Sequence, residues 1–156
     1  MSAGIDEIGK LRRLQNSTDL AATLAALVLA DLHTKQWVYP ELATPVTLPA
    51  EGTAWTYGTL TQVVPINTIE ADFSVHEIMV SAMSANASFV GRITYGAGDT
   101  EWSYFSLTRG GAQIASVIIP IQGIVVPANS AVKMQIADSV GTSTLAVKIA
   151  YHLEAV

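Results

Sequence analysis

The sequence predicts a mainly β protein: an antiparallel β-sandwich of jelly-roll type, preceded by an N-terminal α-helical segment. Three features predict it. Six prolines, at positions 40, 45, 49, 65, 120 and 127, fall where they would break long helices. The runs between them alternate apolar and polar residues with period two. Those runs stop at turn clusters such as Gly96-Ala-Gly-Asp99 and Gly110-Gly111. The pattern changes at Pro40, which divides the 156 residues into a helical segment, 1–39, and a sandwich domain, 40–156.

Residues 5–36 read as helix, because Ile5, Ile8, Leu11 and Leu14 recur at spacings of three among good helix formers. Asn16-Ser17-Thr18 suits a cap, and Asp19 a new first turn, so two helices or one kinked helix fit equally. In the second part Leu20, Leu24, Leu27 and Val28 form a stripe, with Leu32 beyond it and alanines filling the circumference. A helix apolar nearly all round needs cover nearly all round. One small sandwich can scarcely supply that, so Leu20, Leu24, Leu27, Val28 and Leu32 are expected to form an oligomer or docking interface. The alternative is a helix lying across its own domain's sheet.

The apolar run 20–32 contains Asp31 and is well short of the roughly 20 residues that cross a bilayer. No membrane span is expected. Lys10, Arg12 and Arg13 precede the run as a signal's basic region would, but Asp6, Glu7 and Asp19 argue against that reading.

Strand candidates follow in order. The first are 37–39, 46–48, 53–57 and 60–64. Next, Ile78, Val80 and Ala82 alternate with Met79, Ser81 and Met83. Phe89, Gly91, Ile93 and Tyr95 oppose Val90, Arg92 and Thr94. The run 101–109 places Trp102 and Tyr104 opposite Phe105 and Leu107, and 113–119, 121–126, 131–137 and 143–153 complete the set. About eight to ten short strands without intervening helices indicate a sandwich, and a jelly roll fits best. An immunoglobulin-like topology is second, without its Cys…Trp…Cys pattern.

Charged residues make up 13% of the chain, against about 25% in ordinary soluble domains. A surface this poor in charge is expected to be covered by neighbours. The net charge of −5 opposes a phosphate backbone, so nucleic acid is not an expected partner. The absence of cysteine excludes disulfides, thiolate metal sites and thiol nucleophiles. His33, His76 and His152 share no metal-ligand spacing, and no Gly-x-Ser-x-Gly elbow is present. The pairs Glu70/Asp72 and Asp99/Glu101 read as solvated loop acids, and Gly110-Gly111 lacks the phosphate-loop lysine. No catalytic residue, metal or cofactor is expected, and the chain reads as a non-enzyme. Trp55, Tyr57, Trp102 and Tyr104 could stack on a sugar or fill core and subunit contacts.

Four segments carry a resemblance: Val90-Gly-Arg-Ile-Thr-Tyr-Gly96, Ile118-Ile-Pro-Ile121, Val125-Val-Pro-Ala-Asn-Ser-Ala-Val132 and Val147-Lys-Ile-Ala-Tyr-His152. Together they resemble small β-sandwich virion proteins of tailed bacteriophages, which decorate capsids or form the base of head fibres. The resemblance implies a non-enzymatic structural subunit, commonly trimeric, assembled in the host cytoplasm with partners such as the major capsid protein. The alternative is a carbohydrate-binding module of a phage fibre or surface appendage, using Trp55, Tyr57, Trp102 and Tyr104. Solvent exposure of those rings separates the two.

Overall fold

A computed structural model describes residues 19–25, 35–41, 44–111 and 117–154. Residues 19–25 are helical, and ten strands follow among the described residues. They are β1 (Trp37–Tyr39), β2 (Val46–Pro49), β3 (Thr61–Val64), β4 (Phe73–Met83), β5 (Ser88–Tyr95), β6 (Thr100–Thr108), β7 (Val117–Pro120), β8 (Val125–Val126), β9 (Val132–Asp138) and β10 (Thr144–Leu153).

The strands form two antiparallel sheets. In the larger, β1 and β2 both pair with β10, β10 pairs with β4, and β4 carries β7 and β8 on its far side. In the smaller the order is β3-β9-β5-β6. If β1/β2 and β7/β8 are each counted as one interrupted strand, only the β5–β6 hairpin stays within one sheet. Every other connection crosses from sheet to sheet, which is the jelly-roll path the sequence predicts.

Alternation supplies the core. Phe73, Val75, Ile78 and Val80 of β4 and Leu145, Val147 and Ile149 of β10 are fully buried, as are Ile93, Met134 and Ile136 of the smaller sheet. Phe105 lies directly across the sheet from Gly91, and a Cβ on Gly91 would stand 2.1 Å from the Phe105 ring. The glycine therefore admits the aromatic ring over its backbone. We expect Gly91→Val to destabilise the fold by roughly 2–3 kcal/mol through overpacking, read as a lowered midpoint of chemical denaturation.

Four expectations need correction. Residues 53–57 are not a strand but a turn, in which Gly52 and Trp55 both adopt positive φ. The backbone here nonetheless hangs on the adjacent strand β9, with Trp55 N–H donating to Asp138 O and, just beyond the turn, Gly58 N–H to Ile136 O. In β4, register shifts against β10 upset simple alternation, so Ala82 is exposed and Met83 packs on the core. The strand also begins earlier, at Phe73, than its sequence pattern indicates. In the 121–126 run only Val125–Val126 is strand.

The fourth correction concerns β6. A register shift between Ile93 and Thr94 leaves Trp102 as an extra residue. Trp102 is thereby half-buried against the core, its ring edge-on to Tyr95 and its Nε1 donating to Gln122 O at 2.9 Å. It does not share a face with Tyr104.

Of the predicted helix 5–36, only residues 19–25 and 35–36 are described, and 35–36 are not helical. Leu27, Val28, Leu32 and His33 lie outside the described residues. No described helix is long and apolar enough to cross a membrane.

Candidate functional site

The outer face of the smaller sheet presents three cross-strand rows. Pairing sets Val90 beside Ala137 and Ser106, Arg92 beside Gln135 and Tyr104, and Thr94 beside Lys133 and Glu101. The extra residue at Trp102 puts Glu101 and Tyr104, three apart, on one face; unbroken alternation would have opposed them. The 50–60 segment runs alongside β9 and delivers Tyr57 to the same face.

These side chains interlock. Arg92 donates from Nε to Gln135 Oε1 and is ion-paired through Nη1 with Glu101. Tyr104 donates its hydroxyl to the other Glu101 oxygen at 2.7 Å. The Arg92 guanidinium stands over the Tyr57 ring, 5.2 Å from its centroid, within cation–π range. Gln135 donates from Nε2 to Gly58 O at 2.8 Å, tying the loop that carries Tyr57 to the sheet. The phenol bond from Tyr104, aided by the charge of Arg92, holds the Glu101 carboxyl below its usual pKa, and the same bond raises that of Tyr104.

Beside this network lies an open depression of about 350 Å³, lined by Tyr57, Val90, Gly91, Tyr104, Phe105 and Ser106. Tyr104 is 60% exposed. Of the four aromatic residues predicted for stacking, the structure therefore brings together Tyr57 and Tyr104. Trp55 is 56% exposed but does not line the depression, and Trp102 packs on the core. Sequence reasoning missed Arg92, Glu101 and Gln135, which are distant along the chain and meet only through strand register. The acids Asp99 and Glu101 do not act as a pair, since Asp99 binds Lys133.

A second surface is apolar. Leu20 and Leu24 are 61% and 54% exposed, and every residue of 19–25 is exposed. This turn of helix thus does not lie against its own sandwich. At the β7/β8 edge of the larger sheet, Val117, Ile118 and Val125 are also exposed.

The larger sheet also joins two histidines that the sequence separates: the His76 and His152 rings lie with centroids 4.5 Å apart, tilted at 43° to one another. Ser74 lies opposite His152, but its hydroxyl donates to the Glu154 carboxylate and the residue is buried. Among the described residues no group of three His, Asp or Glu side chains could hold a metal ion.

No family model matches the chain, and no curated protein does. Several solved structures are similar. The structure of infectious bursal disease virus Gt strain is 14% identical, covering 77% of this chain and 32% of that chain, with a TM-score of 0.44. A family 35 carbohydrate binding module from an environmental isolate is 7% identical over 77% of this chain and 98% of its own, also with a TM-score of 0.44. The C-terminal CBM6 of LamC, a marine laminarinase from Zobellia galactanivorans, is 15% identical over 69% and 99%, with a TM-score of 0.36. The chain spans about a third of the length of the viral chains it matches.

Proposed function

We propose that this protein is a non-enzymatic structural subunit of a tailed-phage virion, stabilising or decorating the capsid or head-to-tail region through contacts between copies of itself, as a trimer. Assembly takes place in the host cytoplasm, and the major capsid protein is a partner. The observation that carries the reading is apolar surface left over once the sandwich core is complete. Leu20 and Leu24 stand one helical turn apart on a segment whose residues are all exposed, and the β7/β8 edge adds three exposed aliphatic residues. With only 13% charged residues to keep a lone molecule dispersed, such surface is suited to permanent contacts, which resemble a divided core. The four strand-and-turn segments that resemble phage virion proteins support the same assignment.

The test is the mass of the full chain in solution by light scattering. The parent protein is expected to be a multimer, and Leu24→Asp to fall to lower mass or to aggregate, because a carboxylate buried without a partner is strongly disfavoured. A monomeric parent, or a variant of unchanged mass and solubility, would overturn the reading.

A further inference from the structure

We infer that the depression between Tyr57 and Tyr104 on the outer face of the smaller sheet is a binding site for a neutral saccharide. The two rings differ from exposed aromatics in general by being held. Tyr104 is anchored through its hydroxyl to Glu101, and Tyr57 by the guanidinium over its ring and the Gln135 bond to the next residue. A fixed ring offers a flat apolar surface at little entropic cost on binding. The C–H face of a pyranose is the complementary surface.

Beside the rings stand groups that suit sugar hydroxyls. The Arg92 guanidinium has five N–H donors and places two bonds on Gln135 and Glu101, so further donors are available. Each Glu101 oxygen accepts one of the bonds described and has capacity for another. Ser106 at the rim supplies a hydroxyl. Aromatic and aliphatic side chains, here Tyr57, Val90, Tyr104 and Phe105, with polar groups beside them are the make-up of a small-ligand site, and the volume of about 350 Å³ lies at the small end of that range.

Charge selects the class of sugar. Arg92 is neutralised by Glu101, Lys133 nearby by Asp99, and the chain as a whole carries −5. A polyanion or an acidic sugar therefore meets no unbalanced positive charge here. The site lies on the opposite sheet from the β7/β8 edge, so it stands or falls independently of the assembly role.

Isothermal titration calorimetry on the full chain tests the inference, with trisaccharides of glucose, galactose, mannose and N-acetylglucosamine as neutral probes and galacturonate trimer as the acidic one. At least one neutral probe is expected to bind with Kd at or below about 1 mM. Tyr104→Ala should weaken that binding about tenfold or more, whereas Tyr104→Phe, which keeps the ring, should weaken it less. Trp55→Ala, which removes an exposed ring outside the depression, should leave it unchanged. Silence of all four neutral probes up to about 10 mM would overturn the inference. So would a loss that follows Trp55 instead of Tyr104, or stronger binding of the acidic trimer.

Discussion

Asp138→Ala is expected to lower the stability of the fold by about 3 kcal/mol. Asp138 ends β9 fully buried, and its two oxygens accept the backbone N–H groups of Gly141 and, at 2.8 Å, Ser143. Truncation leaves both donors buried and unpaired, each at about 1–3 kcal/mol. For a chain of this size the melting midpoint should fall by roughly 6–12 °C. The effect also has a pH signature. Burial works to raise the Asp138 pKa, but the hydrogen bonds from Ser143, Gly141 and Val140 outweigh it and hold the value below 3.8. Since the native value is depressed, the contribution is present above the unfolded value of about 4 and is lost as the pH falls through the native one. Thermal melts between about pH 7 and pH 2.5 should show the parent losing more stability on acidification than Asp138→Asn. Parallel profiles for the two proteins would show that the ionised carboxylate contributes nothing.

Gly58→Ala should cost about 3 kcal/mol as well, and for a different reason. A Cβ at residue 58 would lie 2.1 Å from the Pro49 carbonyl oxygen and 3.0 Å from its carbon, so the obstruction is main chain, not a movable side chain. The glycine cannot retreat, because its N–H donates to Ile136 O at 2.9 Å and its carbonyl accepts Gln135 Nε2. Overpacking of about 1–3 kcal/mol is usual, and an immovable neighbour puts this case at the upper end. The displaced residue adjoins Tyr57, so near-ultraviolet circular dichroism should change along with the melting midpoint. Gly98→Ala is the contrast: nothing lies within 4 Å of its Cβ position, and stability should hold to within about 0.5 kcal/mol. Equal midpoints for the two variants would show that the 50–60 loop yields without loss.

The class of the fold was legible because burial on one side of a strand imposes period two, and β10 keeps it through Leu145, Val147 and Ile149. Interruptions of that period were not legible. The register shifts at Trp102 and along β4 depend on which strand lies alongside, and local sequence does not specify the partner. The polar pair His76-Glu77 hid the first half of β4 for the same reason. Residues 53–57 look like a strand by composition, yet positive φ at Gly52 and Trp55 bends them into a turn. For the site, the aromatic residues stood out by type. Which two of them converge, and that Arg92, Glu101 and Gln135 stand between them, follows from pairings across β5, β6 and β9.

The position of β10 between β4 and the β1/β2 pair bears on how the protein is made. Synthesis delivers residues 144–153 after all the other strands of their sheet, yet they occupy its middle. Until they emerge from the ribosome, β4 has a long flank of open main-chain donors and acceptors, and β1 and β2 have nowhere to attach. Closure of this half of the sandwich therefore waits for the last of its strands, and is dominated by distant pairings and correspondingly slow. A nascent chain stalled before residue 144 should be readily digested by protease at a stage when a helical bundle of equal length would already resist.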